Sequence, residues 1–142
     1  MSRRDSCIGT PVERIEDLRF LRGRGQYIDD LKRDGLLHAA IVRSAVAHGR
    51  IRNIDSADAR ALPGVHAVIT AADLGGNIPT IAVRSESQPS LDRVVQPVIA
   101  RDKVRYVGEP LAVVVADSAA IAEDAAGLVA VEIEALPAIT GR

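Results

Sequence analysis

The run Leu111-Ala112-Val113-Val114-Val115-Ala116-Asp117-Ser118, continuing through Ile121, Ala125, Leu128 and Val129 to Val131-Glu132-Ile133-Glu134-Ala135-Leu136-Pro137, decides the fold class. Its first six residues are uninterrupted apolar side chains, the pattern of a strand covered on both faces. Asp117 or Ser118 then offers a side-chain oxygen to the free amides of a helix. Ile121, Ala125, Leu128 and Val129 fall at i, i+4, i+7 and i+8 and share one face of it. Val129, Val131 and Ile133 alternate with Glu132 and Glu134, the period of a half-exposed strand. If the two strands are parallel, the helix is a right-handed crossover between them.

Outward from this unit, Val104-Arg105-Tyr106-Val107 reads as a strand that Gly108-Glu109-Pro110 interrupts. Leu36 to Arg43 reads as a strand, and so does Gly49 to Ile54, where Arg50, Arg52 and Asn53 interleave with Ile51 and Ile54. Asp55 or Ser56 caps a short helix from Ala57 to Leu62 that Pro63-Gly64 ends, followed by a strand from Val65 to Thr70 and a turn of helix from Ala71 to Leu74. Residues 75–96, with Gly75-Gly76-Asn77, Pro79, Pro89 and the polar run Arg84 to Ser90, read as a long loop. Such loops are uncommon in compact domains unless they bind something; disorder in an isolated fragment is the competing reading. Residues 1–35 form an irregular arm broken by Gly9-Thr10-Pro11 and Gly23-Arg24-Gly25, with a helical turn from Glu16 to Arg22 whose Ile15, Leu18 and Leu21 dock it. The organisation expected is therefore an N-terminal arm, 1–35, and one domain, 36–142. Its class is α+β, a mixed sheet with two to three short helices.

The chain has 142 residues, net charge −1, three aromatic side chains and one cysteine. That length buries one core and leaves no room for a second large domain. With 18 basic against 19 acidic residues, the charge is too even for a disordered tail or a polyanion binder. The core must come from 22 Ala, 16 Val, 13 Ile and 11 Leu, and the aromatic faces that nucleic-acid bases stack on are nearly absent. A lone Cys7 makes no internal disulfide, so the reducing cytoplasm is the expected compartment. No apolar run reaches the ~18 residues of a membrane span. Ser2-Arg3-Arg4 is followed by Asp5, Glu13, Glu16 and Asp17 instead of the apolar stretch of an export signal. Neither a membrane nor a nucleic acid is an expected partner.

Catalysis needs convergent polar groups, and the spacing provides few. His38, His48 and His66 lie too far apart in sequence for a helical ligand pair. There is no Gly-x-Ser-x-Gly elbow and no Ser-x-x-Lys. Gly23-Arg24-Gly25 lacks the third glycine of a dinucleotide fingerprint. Asp29-Asp30, followed by Leu31-Lys32, reads as a solvated turn. Glu109 sits between two apolar strands and must find a donor or face solvent, which favours a structural role at a strand break. No catalytic, cofactor-binding or metal-ligating residue is expected in this chain.

The order of the segments carries more than any one of them. Arg14-Ile15-Glu16-Asp17, Gly23-Arg24-Gly25-Gln26-Tyr27-Ile28-Asp29-Asp30, Leu37-His38-Ala39-Ala40-Ile41-Val42-Arg43-Ser44, Ala47-His48-Gly49-Arg50-Ile51, Ala61-Leu62-Pro63-Gly64-Val65, Val104-Arg105-Tyr106-Val107-Gly108-Glu109-Pro110 and Glu134-Ala135-Leu136-Pro137-Ala138 succeed one another. Together they resemble the N-terminal domain of the molybdopterin-binding large subunit of the xanthine dehydrogenase, aldehyde oxidase and carbon monoxide dehydrogenase family. The likeness runs from about Gly9 to Ile139. It departs from the family pattern at Arg22, Ala45, Val46 and Gly49, positions of loops and strand edges.

The resemblance implies an α/β-hammerhead fold and a molybdenum hydroxylase that oxidises aldehydes, purines or related substrates with water as oxygen source. It further implies molybdopterin on later segments of the large subunit, and 2Fe-2S clusters and FAD on partner domains or subunits. The segments that hold molybdopterin and the active-site glutamate in such subunits lie beyond Arg142. The role implied for this chain is architectural: packing against the remaining molybdenum-subunit domains, the iron–sulfur subunit and the FAD subunit. The candidate interface residues are Gly23, Gly25, Tyr27, Asp29, Asp30, His48, Gly108, Glu109 and Pro110, and the 75–96 loop and the Gly23 to Asp30 turn are expected to form much of that surface. A stand-alone binding or regulatory module with the same fold is the alternative. The substrate and the oligomeric state are not written in the sequence.

Overall fold

The computed structural model describes residue 11, residues 13–81 and residues 95–139. Cys7 and most of the expected 75–96 loop, residues 82–94, lie outside the described residues. Contacts divide the chain into two units, Met1–Gly35 and Leu36–Arg142.

In the first unit, helix α1 spans Asp17–Leu21 and a single 3-10 turn spans Ile28–Asp30. Gly23, at φ +65°, ends α1. Its amide donates to Phe20 O at 3.0 Å, and the Arg24 amide reaches back to Arg19 O at 2.9 Å. This pair of bonds satisfies two carbonyls that a helix end leaves free, and it needs the left-handed backbone that glycine adopts without strain. Ile15, Leu18 and Leu21, the stripe expected to dock the helix, are exposed. The packing in this unit comes from aromatics: Phe20 stacks on Tyr27 with centroids 5.8 Å apart, and Arg19 lies over the Phe20 ring at 5.0 Å.

The second unit holds eight strands and two helices among its described residues. Strands β1 (His38–Arg43), β7 (Pro110–Ala116) and β3 (Val65–Thr70) make one sheet, with β7 central. Strands β6 (Lys103–Val104), β2 (Gly49–Asp55) and β8 (Ala130–Ala135) make a second, with β2 central. A two-stranded ribbon joins β4 (Thr80–Ile81) to β5 (Gln96–Pro97). Every pairing is antiparallel. The α+β class with short helices holds; the sheets are antiparallel rather than mixed among the described residues, and the condition for a right-handed crossover, parallel strands on either side of the helix, is not met. The helix after β7 leads to a strand of the other sheet. Periodicity assigns a residue to a face and is silent on which strand lies beside it.

Helix α2 spans Ala57–Ala61 and α3 spans Ala119–Gly127. Ser118, not Asp117, caps α3: its hydroxyl accepts from the Ile121 amide at 3.2 Å. Before α2 it is Asp55 whose carboxylate accepts, from the Ala57 amide at 2.9 Å. Both helices pack on one face of the first sheet. Ala112 and Val114 of β7, Val68 of β3, Ala59 of α2 and Ala125 of α3 form the main buried cluster. Ala40, Ala116 and Ala122 continue it. Alanines at the helix contacts let α3 lie close to the strands, which is where the aliphatic composition is used. A third cluster, Ala100, Val104 and Leu111, is covered by Ile51, Ile54, Val131 and Ile133 of the second sheet.

Two expected elements are shorter. The strand at Val104 to Val107 is only Lys103–Val104, because Tyr106 to Gly108 turns the chain into β7. Ala71 to Leu74 is a run of turns rather than a helical turn, held by Asp73 accepting from the Thr70 amide and hydroxyl, each at 2.7 Å.

Candidate functional site

Three segments meet at one end of the second unit: the loop from Ser44 to His48, the turn from Arg105 to Glu109, and the chain after β8. Gly108, at φ +88°, makes the turn possible, since this backbone region strains any residue with a Cβ. The Gly108 amide donates to Ser44 O at 2.8 Å and the Ser44 amide to Glu109 O at 3.0 Å. Arg43 closes the junction by donating to Gly108 O at 2.9 Å. Pro110 opens β7 opposite Arg43, at a register shift, where its missing N–H costs no ladder bond.

Glu109 is fully buried. Its Oε2 accepts from the Arg105 amide at 2.5 Å, the donor that the sequence required. Among the described residues its Oε1 has no hydrogen-bond partner; the Arg105 guanidinium is 3.6 Å away, inside ion-pair range and outside hydrogen-bond range. Arg105 instead donates to Lys103 O at 3.1 Å. Glu109 thus holds the turn from inside.

His48 fastens the third segment. Its Nδ1 lies 2.7 Å from Pro137 O, and the Leu136 amide donates to His48 O at 2.9 Å. A carbonyl only accepts, so Nδ1 carries the proton and Nε2 is the remaining polar atom of the ring. Next to it opens a cavity of 490 Å³ lined by Ala47, His48, Arg105, Tyr106, Val107 and the segment Pro137 to Ile139. This volume is in the range of small-molecule and peptide-side-chain sites. The imidazole, the guanidinium and the phenol are its polar side chains. These groups can donate and accept hydrogen bonds to a bound molecule.

The structure therefore brings together His48 and the Gly108-Glu109-Pro110 turn, among the residues singled out from the sequence. Gly23, Gly25, Tyr27, Asp29 and Asp30 belong to the first unit. Gly25 lies under Phe20, where a Cβ would come within 2.8 Å of Cδ1. Asp30 accepts from the Tyr27 amide at 3.0 Å. Gly23, Gly25, Tyr27 and Asp30 each have a local structural task. Sequence reasoning missed Arg43, Ser44 and Arg105, as well as a His66–Asp117 pair at 2.6 Å that ties β3 to the end of β7. Arg43 meets Gly108 across 65 positions and His66 meets Asp117 across 51, separations that leave no local signal. Among the described residues no three His, Cys, Asp or Glu side chains converge as metal ligands, and no helix is long and apolar enough to cross a membrane.

Residues 22–137 match the family model described as "Aldehyde oxidase and xanthine dehydrogenase, a/b hammerhead domain". The chain is 46% identical over 134 residues to the nicotine 6-hydroxylase large subunit of Paenarthrobacter nicotinovorans, covering 94% of this chain and 16% of that one. It is 43% identical over 132 residues to the carbon monoxide dehydrogenase large chain of Afipia carboxidovorans, covering 93% and 16%. The crystal structure of quinoline 2-oxidoreductase from Pseudomonas putida 86 superposes with a TM-score of 0.79 at 48% identity, covering 98% of this chain and 18% of that one. The chain thus spans less than a fifth of the proteins it matches.

Proposed function

The chain belongs to the aldehyde oxidase and xanthine dehydrogenase a/b hammerhead family, and we propose that it serves as the non-catalytic hammerhead domain of a molybdenum hydroxylase large subunit. The observation that carries this reading is a match over nearly the whole chain to 16% of such a subunit. The activity of the whole would be hydroxylation of an aldehyde, purine or related heterocycle with oxygen from water. Its cofactors would be a molybdopterin-bound molybdenum, 2Fe-2S clusters and FAD, housed in the rest of the large subunit and in iron–sulfur and FAD partners. The reducing cytoplasm is its proposed compartment.

This chain alone does not fit a 2Fe-2S cluster. A 2Fe-2S cluster takes four thiolates, and the chain has one cysteine. The chain's own task is positional. Its two sheets meet at the Ser44, Gly108 and His48 junction, where the buried Ser44 and Glu109 set the turn and so are not contact residues themselves; His48, Gly108 and Pro110 in this unit, and separately the turn from Gly23 to Asp30 in the other, supply surface toward the partners.

Replacing the 134 matching residues of the nicotine 6-hydroxylase large subunit by this chain tests the reading. The chimera is expected to assemble and to hold molybdenum in the proportion the parent does. Failure to assemble, or stoichiometric molybdenum on the isolated chain, overturns the proposal.

A further inference from the structure

The two sheets of the second unit are written differently on their outward faces. In the β6-β2-β8 sheet that face carries Arg50, Arg52, Glu132 and Glu134, all exposed, with Arg52 ion-paired to Glu134. It is a solvated face of the usual alternating kind. In the β1-β7-β3 sheet the residues of β7 that point away from α2 and α3 are Val113 and Val115. The register sets Ala39, Val115 and Ala67 side by side, and Ile41, Val113 and Ile69 side by side. Six aliphatic side chains in two rungs carry no charge and no hydroxyl. None of them belongs to a buried cluster. Ile41 is 44% exposed, and Val113 and Val115 of the central strand are only half-buried.

A strand as continuously apolar as β7 is the kind buried on both faces, yet among the described residues only one of its faces has a covering layer. A patch of contiguous aliphatic side chains on a sheet marks a contact surface. From the contrast with the charged face of the other sheet, we infer that the outward face of β1-β7-β3 is the seat of an uncharged aliphatic face, helix or sheet, of the remaining large-subunit polypeptide. This rests on the function proposed above, and two observations select the occupant. The proteins this chain matches are for the most part polypeptide that it does not contain, with 84% unmatched in the nicotine 6-hydroxylase subunit. The one charged side chain in the outward row of β1, Arg43, stands at the end of the strand and is turned onto Gly108 O; the two rungs themselves offer no charge to attract an acidic or basic partner, so complementarity there requires an equally uncharged surface.

The test uses the same chimera, with Ile41→Cys on the aliphatic face and Arg52→Cys on the charged one, labelled by N-ethylmaleimide and read peptide by peptide in a mass spectrometer. Ile41→Cys is expected to react at least about tenfold more slowly in the molybdenum-loaded chimera than in the isolated chain, and Arg52→Cys at similar rates in both. Equal reactivity of Ile41→Cys in a chimera that holds molybdenum overturns the inference and leaves the family role standing. Slow labelling already in the isolated chain, together with sedimentation as a dimer, assigns the face to a second copy and also overturns it. A chimera without molybdenum removes the proposed function and the inference with it.

Discussion

Glu109 shows how one side chain can set a junction without touching chemistry. Its carboxylate takes the Arg105 amide out of the reach of water, and that amide has no other acceptor among the bonds at the turn. Glu109→Ala removes a charge-assisted bond, strands a buried N–H and leaves a cavity, so it should cost about 2–4 kcal/mol in urea unfolding at constant slope. Glu109→Gln keeps an acceptor for Arg105 and should cost about 1 kcal/mol. Equal losses in the two variants would show that the charge, and not the accepted bond, holds the turn. Asp73 supplies a pH signature at the same scale. The Thr70 amide and hydroxyl hold its carboxyl below the usual carboxylate range, with Arg60 adding to the effect. A pKa lower in the folded state means stability that is fully present above the unfolded value and lost as pH falls through the folded one. The stability gap between wild type and Asp73→Asn should therefore be widest at neutral pH and shrink below about pH 4. A gap that stays constant on acidification would remove Asp73 from the account.

The helices test the caps. Ser118→Ala should cost about 1 kcal/mol, since the hydroxyl is the acceptor for the Ile121 amide at the start of α3. Ser56→Ala should cost only a few tenths, because the Ser56 hydroxyl accepts from Arg60 on the surface and caps nothing. Thermal midpoints of the two variants decide it, and equal shifts would contradict the assignment. The elements most legible in the sequence are those whose signal is local. β7, α3 and β8 announce themselves by an apolar run, a cap and an alternation, and β1, β2 and β3 by β-branched residues between turn residues. What stayed hidden is non-local. Tyr106 and Val107 alternate like strand residues, but β2 offers partners only at Gly49 and Arg50, so β6 ends at Val104. In the site, Glu109 was legible as a buried carboxylate in need of a donor. The His48 contact to Pro137, 89 positions away, was not. Neither was the crowding at Gly49, where a Cβ would overlap Ile133 Cγ2 and meet Glu134 O at 3.0 Å across the β2–β8 pair.

At the scale of the whole molecule, the two faces of β7 separate what the chain supplies from what it lacks. Val114 points into the cluster with Ala59, Val68 and Ala125 and is fully buried, while its neighbour Val113 is half-buried on the aliphatic outer face. The same truncation on the two faces should therefore differ. Val114→Ala loses two methyl groups from a packed core and leaves a void, at about 2–3 kcal/mol. Val113→Ala in the isolated chain should cost under about 1 kcal/mol, because water already reaches that side chain. In the chimera with the nicotine 6-hydroxylase subunit, the cost of Val113→Ala should rise toward that of Val114→Ala, since a covering face turns the outer row into core. The denaturation midpoints of the four proteins measure the rise. If the Val113→Ala cost is the same in both settings, the outer face remains wet in the assembled subunit and the sheet is covered on one side only.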